Sequence, residues 1–251
     1  MGIMKFFIRR RNNIFIKKAA FGSVLFMVSA FAVLMPESLS AAEKSKEKSH
    51  VEEAKTDSVF SARKVFEKIQ IPALEILPVS TRLDMLDYWD VDSVYQASNA
   101  MEGLSWLVDV KPDFLKVRVS AVSTLEIKIL PVKKGKIVMT VYTLGDDVQA
   151  QDSEVNFYDE SLEQLPTDKY FVMPVLKDFF EIPKGSATKM KEIEDMIPFP
   201  TVAYSANSEN DKLEARLTVE KFVNEDDWNI AKLFLKPYIT LEWKKERYRY
   251  K

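Results

Sequence analysis

The stretch from residue 114 to residue 144 constrains the fold of this chain most, because apolar and polar residues alternate along it. The pattern runs through "FLKVRVSAV" (114–122) and "STLEIKILPV" (123–132), and it resumes in "KIVMTVYTL" (136–144) after the short turn "KKG". Apolar residues at every second position are typical of β-strands. Two such runs around a short glycine-containing loop predict an antiparallel hairpin. We expect its buried face to carry Leu125, Ile127 and Ile129.

Two helices are predicted before these strands. Residues 58–70 place apolar residues near helical spacing, and residues 81–90, "TRLDMLDYWD", do so again. Thr81 has the character of an N-cap, with Asp84 three positions later as in a capping box. We expect this second helix to turn Leu83 and Leu86 inward.

The second half of the chain repeats the order of helices before strands. Helices are predicted over 174–182 and 186–197, a hairpin over 201–206 and 212–222, and a closing strand over 237–250. A further short strand is predicted at 154–159. Helices followed by antiparallel hairpins indicate an α+β fold with helices packed on an antiparallel sheet. The body, 59–251, is compatible with two helix-plus-sheet halves, 59–165 and 166–251.

The N-terminus has the layout of an export signal. A basic segment precedes the 17-residue apolar run 19–35, and Pro36 and small residues follow it. We expect residues 1–42 to be a signal peptide that is cleaved between Ala42 and Glu43. The alternative is an uncleaved membrane anchor, for which 17 residues is at the short limit. The charged segment 43–58 is predicted to be a flexible tail.

Composition excludes several functional classes. The chain has no cysteine, so it lacks a disulfide, a thiol nucleophile and a cysteine-held iron–sulfur site. Its one histidine, His50, lies in the tail, which removes histidine bases and histidine-held zinc from the body. The net charge is −2, and the basic N-terminal segment leaves the rest of the chain more acidic. We therefore expect no nucleic-acid partner and no cofactor.

Asp84, Asp87 and Asp90 are the most suggestive candidates for chemistry. Their spacing of three places them along one face of the predicted helix. They could form an acidic catalytic or metal-binding stripe, or they could be the solvated side of the helix. We favour the second interpretation, because a glycosidase pair normally comes from separate elements and calcium prefers a looped oxygen cage. We therefore assign no catalytic, cofactor-binding or metal-binding residue.

Two other stretches carry weaker signals. The acidic segments "GDDVQAQDSE" (145–154) and "NEDDW" (224–228) could hold calcium weakly, but solvated strand ends are the simpler interpretation. "KKERYRY" (244–250) interleaves basic and aromatic residues, which can stack on bases or sugars. At a strand period, the simpler interpretation is one aromatic and one basic face.

Four blocks of the sequence resemble a known family. They are "RLDMLDYWD", "STLEIKILPV", "DSEVNFYD" and the late hairpin with its tryptophan. Their order and spacing, over roughly residues 60–245, are similar to those of the Bacteroidales family catalogued as domain of unknown function 3256. The resemblance implies an exported protein and no assigned activity. One departure is the turn "NAMEGLSWL", which has Asn99 and Gly103 where the family tends to have a Gly-Gly-Lys-Ser-like turn.

These observations lead us to expect an exported, periplasmic protein without catalytic activity. It would bind an unknown ligand or partner protein, or support an envelope assembly. It would meet the membrane only through its N-terminal segment, if that segment stays uncleaved. The alternative is a carboxylate-dependent hydrolase that acts on envelope glycans. An exposed apolar patch or an open sheet edge would favour the binding protein. A cleft with two carboxylates, at least one of them desolvated and with a raised pKa, would favour the enzyme.

The predicted signal can be tested by N-terminal sequencing of the exported protein. The mature chain should begin at or within a few residues of Glu43, because small residues precede that position and the apolar run ends upstream of it. Recovery from the membrane fraction of a chain that still carries residues 19–35 would contradict cleavage.

Overall fold

The body of the chain is built around a seven-stranded sheet, seen in a computed structural model that describes residues 60–91, 95–146, 150–197 and 199–250. These residues belong to one compact unit. The predicted signal peptide, its cleavage site at Ala42 and Glu43, the tail and His50 lie outside the described residues. Within the ranges just given, no helix is long and apolar enough to cross a membrane.

The seven strands form an antiparallel meander, in which neighbours in sequence are also neighbours in the sheet. They are β1 (Ala97–Ser98), β2 (Leu104–Lys111), β3 (Phe114–Ser120), β4 (Ser123–Pro131), β5 (Lys136–Leu144), β6 (Asp152–Tyr158) and β7 (Gln164–Leu165). The longest strands, β4 and β5, lie in the middle of the sheet and form its most deeply buried part.

The predicted hairpin is confirmed. Strands β4 and β5 pair from Ser123 opposite Leu144 to Pro131 opposite Lys136, and Leu125, Ile127 and Ile129 are buried on one face. The turn requires a glycine at 135. This residue has φ of +89°, and a Cβ there would lie 2.6 Å from a carboxylate oxygen of Glu160.

Two helices cover one face of this sheet. They are α1 (Ala62–Lys68) and α2 (Val79–Asp90), separated by a 3₁₀ turn at Pro72–Leu74. Their apolar side chains meet those of β3 and β4 in one core, which includes Val65, Phe66, Leu86, Leu115, Leu125 and Ile127. Burial of these side chains holds the helices on the sheet, since each fully buried aliphatic or aromatic residue contributes about 1.5–3 kcal/mol.

A buried arginine connects the two helices. Arg82 of α2 is 1% exposed, and its Nη1 donates to the carbonyl oxygens of Phe66 (2.6 Å) and Ile69 (2.9 Å) at the end of α1. Burial lowers the pKa of the Arg82 guanidinium below its ordinary value. The hydrogen bonds satisfy carbonyls that the end of a helix leaves without an intrahelical partner. The sequence pattern did not predict this role, because a charged residue in a helix is normally expected to face solvent.

The start and the inward face of α2 differ from the sequence prediction. The helix begins at Val79, with Pro78 in the cap position, so Thr81 lies inside the first turn and is not the N-cap. Proline suits a helix start because its backbone lacks the N–H that would go unpaired there. Leu83 is 42% exposed and does not pack inward, whereas Leu86 is fully buried as predicted. Arg82 and Met85 occupy the inward positions beside Leu86.

A second sheet and three helices cover the opposite face. The sheet has the order β11-β10-β9-β8 and contains β8 (Val202–Ala206), β9 (Lys212–Leu217), β10 (Ile239–Trp243) and β11 (Tyr248–Arg249). The helices are α3 (Thr167–Tyr170), α4 (Ala187–Met196) and α5 (Glu225–Ala231), with 3₁₀ turns at Leu176–Phe179, Val219–Phe222 and Lys232–Phe234. A second core joins them to the first sheet through residues that include Met139, Val141, Phe157, Phe179, Leu213 and Leu241.

Two predictions for this half were wrong, and the hairpin predicted over 201–206 and 212–222 was wrong at its end, where Val219–Phe222 form a 3₁₀ turn. Residues 174–182 form only the 3₁₀ turn at Leu176–Phe179, because Phe180 is extended and makes a β-bridge to Leu235. Residues 237–250 form two strands instead of one. A tight turn separates them, in which Lys245 and Glu246 have φ of +53° and +60°. Positive φ at both central residues is the geometry of a two-residue hairpin turn.

Among the described residues, five helices and strands were missed, namely β1, β2, β7, α3 and α5. Strand β2 follows the turn that begins at Asn99, and helix α5 begins in the acidic segment "NEDDW". The Oδ1 atom of Asn224 accepts a hydrogen bond from the Asp227 N–H (2.9 Å), and three acidic residues occupy the first turn of α5. Negative charge is favourable at a helix start, so this acidic segment serves the helix. With two antiparallel sheets and helices on both sides, the α+β fold is confirmed.

Leu86 and Leu83 provide a matched test of the α2 packing. Leu86→Ala should lower the free energy of unfolding by about 2–5 kcal/mol, because it leaves a cavity in the core. Leu83→Ala makes the same chemical change at a position that is 42% exposed, and should cost less than about 1 kcal/mol. Urea denaturation of both variants measures the difference. Equal losses would contradict the observed orientation of the helix.

Candidate functional site

Side chains of the first sheet hold the edge of the second sheet. Strand β8 is an outer strand, and three of its backbone N–H groups donate to the first sheet. The Val202 N–H donates to Asp152 Oδ1 (3.1 Å), and the Tyr204 N–H donates to Ser153 Oγ (3.0 Å). The Ala206 N–H donates to Glu126 Oε2 (2.7 Å). The edge of β8 therefore faces the first sheet.

The alternation of these donors follows from antiparallel pairing. Val202, Tyr204 and Ala206 lie opposite Leu217, Ala215 and Leu213 of β9. Along an outer strand, every second N–H points away from the neighbouring strand. These outward N–H groups are the ones that would donate hydrogen bonds to an added strand. In this protein they are already occupied, so the edge of β8 is closed to strand addition at all three positions.

Glu126 is the most buried of the three acceptors. It is 4% exposed, and its carboxylate also lies 2.8 Å from Lys116 Nζ and 3.4 Å from Ser205 Oγ. Lys116 lies directly opposite Glu126 in the pairing of β3 with β4. A charged pair at opposed positions is a signal that the sequence contains, but the alternation of β4 does not show what covers the face on which Glu126 lies. The second sheet covers that face and buries the carboxylate.

A polar cleft opens beside this contact. It has a volume of about 340 Å³ and lies between the polar face of β3 and β4 and the outer face of the second sheet. Its lining includes Lys116, Glu126, Gln151, Glu214, Arg216 and Tyr238. The volume is within the range of small-molecule sites, about 300–1,000 Å³. This cleft is the candidate functional site.

The outer wall of the cleft carries exposed groups. Glu214 and Arg216 are two residues apart on β9 and project from its outer face, while Leu213, Ala215 and Leu217 project into the core. Arg216 Nη2 donates to Gln151 Oε1 (2.8 Å). Tyr238 is 51% exposed. The wall thus presents a cation, a carboxylate and an aromatic ring to solvent.

A second cavity lies along β6. Its volume is about 510 Å³, and its lining includes Tyr142, Phe171 and Met173. Tyr204 lines both cavities. Burial raises the pKa of the Tyr204 phenol above its ordinary value.

Asp84, Asp87 and Asp90 lie away from both cavities. All three are exposed, as predicted. Asp90 Oδ1 lies 2.6 Å from Arg63 Nη1, and Asp87 lies 3.8 Å from the same guanidinium. These contacts join α2 to α1 at the surface. In the described part of the chain, no group of three or more acidic or histidine side chains is arranged to hold a metal.

The turn that departs from the family pattern is held by one side chain. Asn99 Oδ1 accepts from the N–H groups of Met101 and Gly103, both at 3.0 Å. Its Nδ2 donates to Ser105 Oγ (3.1 Å) and to the Val119 carbonyl (3.2 Å). Asn99 therefore fixes the β1–β2 turn to the sheet. Two of the backbone N–H groups of the turn, those of Met101 and Gly103, are used internally by this amide.

The end of the chain uses its aromatic and basic residues structurally. Tyr248 of "KKERYRY" is fully buried in the second core, and Arg247 Nη2 donates to the carbonyl of Asp168 (2.7 Å). The interpretation of this segment as one aromatic and one basic face agrees with Tyr248, whose ring is turned inward. The segment is not part of the cleft.

The two carboxylates of the cleft should differ in their contribution to stability. Glu126→Ala leaves the buried Ala206 N–H without its acceptor and should cost about 1–3 kcal/mol. Glu214→Ala removes an exposed carboxylate from the same cleft and should cost less than about 0.5 kcal/mol. Urea denaturation of both variants makes the comparison. A neutral Glu126→Ala would show that this contact does not hold the sheets together.

The comparisons with known proteins agree with this architecture. A family model described as "Protein of unknown function (DUF3256)" matches residues 59–248. No curated protein matches the chain. A solved structure of a domain of an uncharacterized protein from Porphyromonas gingivalis W83 is similar, with a TM-score of 0.64 and 22% identity. The match covers 75% of this chain and 96% of that one. At this identity it shows that the two proteins share a fold and nothing further. Because the family model spans most of the chain, the protein belongs to the DUF3256 family of unknown function.

Proposed function

We propose that this protein is exported, resides in the periplasm or envelope, and binds a ligand or partner there without catalysing a reaction. The basic and apolar N-terminal segments and the small residues before Glu43 support export. The polar cleft between the two sheets supports binding.

The environment of Glu126 is the observation that carries the choice of binding over catalysis. Its carboxylate lies within hydrogen-bonding distance of Lys116 Nζ, the Ala206 N–H and the Ser205 hydroxyl. A carboxylate held in this way is an anchor, since its oxygens already have donors. Burial raises the pKa of the Asp211 carboxyl, but Asp211 does not line the cleft.

The alternative is a carboxylate-dependent hydrolase acting on envelope glycans. One observation favours it: Glu126 and Glu214 come from different strands and line the same cleft. Glycosidases use two carboxylates about 5–9.5 Å apart, one of them protonated before reaction. If Glu126 were the protonated member of this pair, it would have to give up its three donors.

A capture experiment with a matched control tests the binding proposal. Full-length protein is immobilised and exposed to solubilised envelope from a Bacteroidales cell. A specific component should be retained by the native protein and by Arg249→Glu, but released by Arg216→Glu. Both arginines are exposed strand residues, and only Arg216 lines the cleft. If Arg216→Glu and Arg249→Glu retain the component equally, the cleft is not where it binds.

The same preparation separates binding from hydrolysis. The binding proposal predicts that envelope glycans are recovered intact after incubation with the native protein. Release of new reducing ends that is lost in Glu214→Gln would instead establish the hydrolase. Recovery of the native protein from the cytoplasm alone would contradict the proposed location.

A further inference from the structure

We infer that the cleft between the sheets takes a neutral, polyhydroxylated ligand, namely one or two units of a saccharide. This inference rests on the proposed binding function and specifies the chemical class of its ligand. It follows from the charge balance of the cleft, the type of hydrogen-bonding groups, an exposed aromatic ring and the closed edge of β8.

The charge of the lining is balanced. Lys116 is neutralised by Glu126 at 2.8 Å, and Arg216 has Glu214 two residues away on the same face of β9. The cleft therefore presents no net field to attract a phosphate or a polyamine. An ionic ligand that bound to Lys116 or Glu126 would also have to displace the ion pair between them.

The exposed polar groups match the hydroxyls of a sugar. Arginine can only donate hydrogen bonds and a carboxylate can only accept them, whereas each sugar hydroxyl does both. Residues two apart on a strand are separated by about 6.6–7 Å. Arg216 and Glu214 thus offer a donor and an acceptor spaced across the width of one sugar ring. Gln151, whose Oε1 already accepts from Arg216, retains amide N–H groups for donation.

Tyr238 supplies an apolar surface beside these groups. Its side chain is half-exposed, follows Pro237, and lines the cleft. The ring of a tyrosine is amphipathic, with an apolar face and a polar tip. The C–H face of a pyranose can lie on such a ring while its hydroxyls reach the charged groups.

The closed edge of β8 disfavours an extended peptide. Peptides that bind at a sheet commonly add a strand and hydrogen-bond to a free edge. Here Asp152, Ser153 and Glu126 already accept from the β8 N–H groups that a peptide would use. A ligand of the cleft must therefore be recognised by the side chains that line it, and these side chains suit hydroxyl groups.

The test titrates full-length protein with four probes and follows backbone amide shifts by NMR. The probes are a neutral N-acetylglucosamine tetramer, a neutral glucose tetramer, a galacturonic acid tetramer and tetra-alanine. At least one neutral tetramer should shift the amides of residues 214–216 and 238. Tyr238→Ala should weaken its binding about tenfold or more. Tyr88→Ala, a tyrosine exposed to a similar degree on α2, should leave the affinity unchanged.

The outcomes distinguish the two proposals. Binding of tetra-alanine alone, sensitive to Tyr238→Ala, would overturn the saccharide class but keep the binding function. Binding of the uronic acid tetramer alone, with the same sensitivity, would overturn the neutral character of the ligand and likewise keep the binding function. Binding of neutral tetramers that is insensitive to Tyr238→Ala would place them elsewhere and overturn this inference. If no probe shifts the amides and an envelope protein is captured in a way that Arg216→Glu abolishes, the saccharide inference is overturned. The binding function would then be supported with a protein as the partner.

Discussion

The hydrogen bonds from the edge of β8 to the first sheet determine the arrangement of the rest of the molecule. Glu126, Ser153 and Asp152 accept from alternate N–H groups of β8, so the second sheet meets the first along one strand. On one side of that contact, the inner faces of both sheets share an apolar core. On the other side, their polar faces border the cleft. A single contact thus creates both the core and the candidate site.

The burial of Glu126 shows how this contact is balanced energetically. Removing a carboxylate from water costs several kcal/mol, and only close donors offset that cost. Lys116 and the Ala206 N–H lie at 2.8 Å and 2.7 Å, distances that are typical of charge-assisted hydrogen bonds. A hydrophobic contact would bury area without fixing a register. Three directional hydrogen bonds fix both the position of β8 along the first sheet and the groups that face the cleft.

Alternation predicted the central sheet well, but it could not predict what covers each face. It identified β3 to β6 and the buried face of β4, because period-two patterning is set locally. It did not predict the burial of Glu126, since the second sheet that covers this residue is contributed by residues 202–249. The role of Arg82 was not predicted either, because its partners are carbonyls at the end of another helix. Leu83 and the segment 174–182 show that tertiary contacts also override helical spacing.

Amide hydrogen exchange at Val202, Tyr204 and Ala206 tests most directly whether side chains of the first sheet hold β8. All three amides lie on an outer strand, where unpaired groups exchange rapidly. If the side-chain contacts persist in solution, these amides should exchange at least about 100-fold more slowly than exposed loop amides. The Glu126→Ala variant should then exchange faster than the native protein at the Ala206 amide, whose acceptor is removed. The increase should be smaller at the Val202 amide, whose acceptor is Asp152. Rapid exchange at all three positions in the native protein would contradict the account.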